Sequence, residues 1–324
     1  MKKRYFLNAA LSMAGLAAMT PSAFAQGLAS KPTTIVVPFA TGGATDIVAR
    51  LVAQQLAGPL GAPVLVENRT GGAGAIGWGS VARAAPDGHT LITMELSYAI
   101  AAGLNPNLPF DPRNAFSHIT TAVSVPHVLV VTPGLPAKTM KEFLALARAK
   151  PGSLNYGSGG IGTNTHLGSE LLKSQTGIFI THIPYRGAGA VLTDLMGGQV
   201  QMMISTVTTV LPHIKSGKLR PLMVLSNTRS PVLPDVPSAK DEGLPEMAMD
   251  FWVGFSAPAG TPQPILEKLN KDINAVLNLP DVKKRSADMG LTTVASSQAA
   301  AVQQVESEIK RWSALIKQQG IKPE

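Results

Sequence analysis

Three stretches place glycines, hydroxyls and amides where a β-branched run gives way to an amphipathic one: ATGGATD at residues 40–46, RTGGAGAIG at 69–77 and GSGGIGTNTH at 157–166. A helix fed by such a turn starts with backbone N–H groups that have no intrahelical acceptor, and its dipole adds positive potential at that end. Oxygen anions bind there. Thr41, Gly42, Gly43, Ala44 and Asp46 are the candidates in the first turn, and Ser158, Ile161, Gly162, Thr163, Asn164 and His166 in the third. One such turn is an ordinary tight connection; three of them, decorated with Ser, Thr and Asn, point to a shared binding cleft. Gly72, Gly74, Gly77 and again Gly157, Gly159, Gly162 satisfy G-x-G-x-x-G. That motif alone is weak, and Asp87 and Glu95 are poorly placed for the ribose contact of a dinucleotide site.

Catalytic patterns are sparser. The six histidines, His89, His118, His127, His166, His182 and His213, show no H-x-x-x-H or H-E-x-x-H spacing, so zinc has no support. Ser158 is not in G-x-S-x-G, and no carboxylate is tied to a histidine by sequence. A hydrolase built on Ser158 and His166 is the rival reading, since both belong to one loop and helix start. More simply, His166 packs or lends a hydrogen bond in the first turn. No cofactor is expected.

The chain has 324 residues and no cysteine, which excludes disulfides, thiolate metal sites and an N-terminal lipid anchor on cysteine. Lys2, Lys3 and Arg4 precede an apolar run over residues 6–18 and then Ala23-Phe24-Ala25. This is the pattern of a secretory leader, residues 1–25, cut before Gln26; the run is too short to span a bilayer. Without those three cations, 25 Lys and Arg face 20 Asp and Glu, a net charge of +5. With no basic run, that balance argues against nucleic acid and weakly favours an anionic small molecule. Aromatic residues are 5%, few for a sugar site walled by stacked rings.

About 300 residues after the leader exceed the usual single-core domain. The elements that must hold the turns alternate: β-branched runs at 33–38 and 64–68 are each followed by a helical pattern and a third run follows at 90–94, the signature of βαβ units on a largely parallel sheet. An extended run over 119–132, interrupted by Pro126, suits a strand passing between domains. From Thr139 the alternation resumes with a capped helix, the 157–166 turn and helix, and strands at THIPY, VQMMIST and LRPLMVL. Two long helical segments, 262–277 and 297–319, close the chain and are expected to pack on an existing sheet. The expectation is an α/β fold of two domains, residues 26–124 with 250–324 and residues 125–249, joined by two crossings that act as a hinge around a ligand cleft.

Taken in order, VPFATGGATDIVARLVAQQL, VENRTGGAGAIG, APDGHTLI, LNYGSGGIGTNTHLGSELL, IPYRGAGAVLTDLMGGQVQ, LPHIKSGKLRPL, PDVPSAKDEGLP and GFSAPAGTP together resemble the Bug family of extracytoplasmic solute receptors, the binding components of tripartite tricarboxylate transporters. The resemblance covers essentially the whole chain after the leader. It implies a type II-like, two-domain periplasmic binding protein that closes like a flytrap on a small carboxylate or dicarboxylate, aliphatic or aromatic (terephthalate, for example), as a monomer, and hands it to membrane transporter subunits. It also implies that the carboxylate is gripped by residues 40–46 and 158–166. Two departures stand out: family members commonly carry proline near Ala40-Thr41, and small hydroxyl residues where this chain has Glu95 and Tyr98. Ser97, Tyr98, Arg186, Ser205, Thr206, Asp250 and Trp252 are the candidates that choose the ligand's carrier. A ligand sensor that docks onto a signalling partner is the remaining alternative.

Overall fold

The computed structural model describes residues 31–319 together with Leu28 and Lys322; the expected leader lies outside the described residues. Three strand–helix units open the fold: β1 (Thr33–Val37) with α1 (Ala44–Leu60), β2 (Val64–Asn68) with α2 (Ala75–Ala82), and β3 (Thr90–Glu95) with α3 (Leu96–Leu104). The β-branched TTIVV of β1 is buried almost throughout because parallel neighbours flank it on both sides, β2 and β3. Continuous apolar strands of this kind belong at the centre of a parallel sheet.

The 16-residue β4 (Phe116–Val131) follows. Then come α4 (Met140–Ala149), β5 (Asn155–Ser158), α5 (Asn164–Thr176), β6 (Thr181–Pro184), α6 (Ala188–Met196), β7 (Met202–Thr206), α7 (Val207–Lys215) and β8 (Arg220–Leu225). The chain returns through β9 (Asp250–Pro258) and ends with α8 (Gln263–Leu277), α9 (Pro280–Asp288), β10 (Thr292–Thr293) and α10 (Gln298–Gln319). The strand order is β2-β1-β3-β9-β4-β7-β5-β6, with β8 and β10 also pairing with β4.

The strand β4 changes partners along its length. Up to Pro126 it runs antiparallel to β9; from His127 it lies between β7 and β8. Pro126 therefore does not interrupt the strand, contrary to the sequence expectation. It sits at the changeover, opposite Asp250 at the start of β9, where a residue without an N–H does least harm to a ladder. Past this point alternate side chains serve different cores. Val128 and Val130 join the cluster containing Ile35, Val36, Phe255 and Trp312, while Leu129 and Val131 join Phe143, Leu172, Ile204 and Met223, as the two-residue period of a strand requires. Helix α8 packs beside β4 and α1, and α10 against β4 and α3. The short α9 and β10 between them have no counterpart in the sequence expectation. Among the described residues, no helix is long and apolar enough to cross a membrane.

Candidate functional site

Five helices begin at one cavity. Its wall takes Gly43–Asp46 from the start of α1, Glu95 and Ser97 from α3, Thr163, Asn164 and Thr165 from α5, Gly187 and Ala188 from α6, and Ser205, Thr206 and Thr209 from the β7–α7 junction; Phe39, Ala40, Gly159 and Phe251 complete it. The cavity holds about 50 Å³, and no lysine, arginine or histidine lines it. The positive potential is therefore that of backbone N–H groups and helix dipoles.

Local sequence leaves several of these helix starts without a capping side chain of their own. Glycine caps α1 and α6, at Gly43 and Gly187, and Thr206 caps α7; none of the three makes a side-chain capping bond. By contrast the Thr163 hydroxyl accepts from His166 N at α5, and Glu95 accepts from Ser97 N at α3. Gly42 and Gly162 have φ of 85° and 76°, the left-handed region that side chains disfavour. A Cβ on Gly162 would also stand 2.8 Å from Leu104 Cδ2. The glycine turns thus let α1 and α5 aim their ends at each other.

The walls touch across the cavity. Ala44 N donates to Thr209 Oγ1 at 3.2 Å, and Asn164 donates to Ser97 Oγ through its backbone N at 3.0 Å and its Nδ2 at 2.9 Å. Asn164 Nδ2 also reaches Glu95 Oε2 at 3.0 Å, and Asn164 Oδ1 lies 3.0 Å from His127 Nε2, whose ring meets Met249 O on its other side. His127 is fully buried, and burial lowers its pKa in spite of its hydrogen bonds to Met249 O and Asn164 Oδ1. Burial raises the Glu95 carboxyl to about 7, against the hydrogen bonds that it accepts from Ser97 and Asn164.

Of the residues proposed from sequence, Gly43, Ala44, Asp46, Ser97, Thr163, Asn164, Ser205 and Thr206 lie on this wall. Burial alone would raise the Asp46 carboxyl, yet hydrogen bonds from Arg50, Asn68 and Gly42 N hold it below the usual range. Asp46 thereby staples the 40–46 turn to β2. Thr41 and Gly42 are exposed at its outer edge. Ser158 turns away from the cavity: its Oγ meets His182 Nε2 at 2.6 Å and accepts from Gly160 N at 3.1 Å. His166 accepts from Gly162 N through Nδ1 at 3.2 Å and stacks on the His182 ring at 4.2 Å. Ser158, paired with His166 in the rival reading, bonds His182, and Ser158, Ile161, Gly162 and His166 are not among the residues of the cavity wall.

Tyr98 is not on the wall, contrary to the sequence expectation. Its ring packs edge-on to Trp78 and Phe116 and stacks with Phe110, and its hydroxyl donates to Pro112 O at 2.5 Å. One residue, about 100° around the helix, separates it from Ser97 on the cavity face. Arg186 is exposed and borders a second depression shared with residues 70–74, so the RTGGAGAIG turn faces Arg186 instead of the cavity. Asp250 and Trp252 border another groove, beside Arg311. The α6 start at Gly187 and Ala188, with Thr165 and Thr209, was not identified from sequence, whereas Ser205 and Thr206 at the α7 start were named and Glu95 was noted as a departure that shapes specificity. Their signal was available as strand-to-helix junctions with little or no loop, in MELSYAI, IPYRGAGAV and MISTVTTV.

The family model described as TctC, tripartite tricarboxylate transporter family receptor, matches residues 48–321. The periplasmic binding protein BugD superposes with a TM-score of 0.88 at 33% identity, over 91% of this chain and 99% of that one. MatC from Rhodopseudomonas palustris, with bound malate, gives 0.85 at 34% identity, over 89% and 99%. Rpa4515 from R. palustris, with adipate, gives 0.88 at 33% identity, over 91% and 99%. The fold is the mixed α/β architecture of these periplasmic binding proteins.

Proposed function

This chain belongs to the tripartite tricarboxylate transporter receptor family, whose members are periplasmic solute-binding receptors, and from that premise we propose that it captures a small aliphatic carboxylate or dicarboxylate and delivers it to membrane transporter subunits. The observation that carries the reading is the convergence of helix starts, three of them without a side-chain cap, on a cavity with no cationic side chain. A ligand carboxylate supplies the missing cap. Hydrogen bonds to a charged group are worth roughly 1.5–3 kcal/mol each, so three or four reach the ~8 kcal/mol of a micromolar complex before ordering costs. The malate and adipate carried by two relatives are the first ligands to try.

Closure follows from connectivity. The chain passes between the β1–β3 end and the β5–β7 end along β4 and again on its way into β9, and residues 31–124 with 250–319 act as one jaw against 125–249. The protein works as an exported monomer. The Ser158 hydroxyl, directed at His182 and away from the cavity, supports binding without turnover.

The test is thermal unfolding of the purified mature protein against a panel of aliphatic and aromatic mono- and dicarboxylates, each beside its methyl ester. At least one acid is expected to raise the melting temperature while its ester does not. An inert panel overturns the reading. Ester turnover abolished in Ser158→Ala would favour the hydrolase instead.

A further inference from the structure

One wall residue is of the wrong sign for a carboxylate site. Glu95 is 1% exposed, lines the cavity, and is held at Oε2 by Ser97 N at 2.8 Å and Asn164 Nδ2 at 3.0 Å. Its other oxygen, Oε1, is buried without any hydrogen-bond partner. Buried polar atoms are nearly always paired, and an exception marks a role. Across the same cavity Ser205 Oγ is the second buried, unpartnered oxygen. Two such atoms on opposite walls of one binding cavity are groups that a ligand completes.

The chemistry at Oε1 follows from the surrounding charges. From α1 the facing group is Asp46, already committed to Arg50, and from β4 it is His127, reached through Asn164. From β7, α6 and β9 the wall receives only hydroxyls, backbone and Phe251, and Asp250 is exposed beyond it. No cation stands ready to separate two carboxylates. When like charges share a desolvated site, one of them takes a proton. Donors already crowd Oε2, so the proton belongs on Oε1.

We infer that Glu95 meets the bound carboxylate as a neutral acid, its Oε1–H donating to the ligand beside the Ser205 hydroxyl, so that each binding event of the ionised protein takes one proton from solvent. The anionic form of Glu95 repels the same ligand. Glu95 is thereby a specificity residue: its anionic form rejects carboxylates above neutral pH. The carboxyl is poised for this, since burial has already raised it to about 7.

This inference rests on the carboxylate-receptor reading, and its test separates the two. Malate and adipate, then the rest of the panel, are titrated calorimetrically at pH 6 and pH 8 in HEPES and in Tris at the higher pH, buffers whose ionisation heats differ. Proton uptake per ligand is expected near one at pH 8 and near zero at pH 6, with affinity falling ~tenfold per pH unit above neutrality. Glu95→Gln keeps the donor but cannot ionise; it is expected to bind more tightly than the unsubstituted protein at pH 8 and to exchange no proton. An acid that binds with no proton uptake overturns this inference alone, as does uptake that persists in Glu95→Gln and so belongs to another group. A panel with no binder at all overturns the receptor reading and this inference with it.

Discussion

Glu95 makes a prediction that needs no ligand. Its carboxyl ionises near 4.5 in an unfolded chain and near 7 in the folded one, so between those values the folded state holds more protons, and its contribution to stability falls as pH rises. At ~1.4 kcal/mol per unit the decline is of the order of 3 kcal/mol across the window. Glu95→Gln removes it: the stability of the variant minus that of the unsubstituted protein, from urea unfolding, is expected to grow from pH 4.5 to pH 7 and then level off. Asp46 runs the other way, with its stability contribution lost as pH falls below its ordinary range, and it cancels in the difference. A difference that stays flat across the window would mean that Glu95 is not buried as described. At this scale the sequence was a partial guide. Residues in the glycine turns were legible because glycine and hydroxyl chemistry is local. Tyr98 was not, since its neighbour Ser97 faces the cavity while helical phase turns Tyr98 into the Trp78–Phe110–Phe116 aromatic cluster.

The elements do their work at their ends. Position 162 tests this, because its φ of 76° and its 2.8 Å approach to Leu104 together demand glycine. Gly162→Ala is expected to cost about 1–2 kcal/mol in urea unfolding from backbone strain, and to weaken carboxylate binding further by tilting the start of α5. Unchanged stability would show that the turn has slack. Thr165→Ala removes the hydroxyl that accepts from Gly159 N at 2.8 Å; about 1 kcal/mol is expected to be lost. The alternation of strand and helix was readable because β-branched runs and glycine turns punctuate it. The α9–β10 passage was not, since PDVKKRSAD lies mostly exposed and carries little apolar period to detect. Pro126 misled for a related reason: a proline forbids a ladder bond only where one is required, and the partner exchange along β4 is invisible until the fold is known.

For the whole molecule, the cross-cavity bonds Ala44 N to Thr209 and Asn164 to Ser97 are contacts that the proposed closure of two jaws would make. Closure predicts that a binding acid lowers the radius of gyration measured by small-angle scattering, and that Thr209→Val, which removes the acceptor for Ala44 N, weakens binding. A radius unchanged by a saturating ligand would replace hinge closure with a preformed pocket. Two lobes were expected from the chain's length and its repeated βα pattern; which five helices share one cavity was not legible, because it depends on pairings between strands more than a hundred residues apart, such as Ser124 with Trp252. The central claim is that helix-start N–H groups hold the carboxylate, and amide NMR tests it most directly. On titration with a stabilising acid, the amide protons of Thr45, Asp46, Thr165 and Ala188 are predicted to move downfield together as charge-assisted bonds form. Large shifts confined to another region, with these amides still, would contradict it.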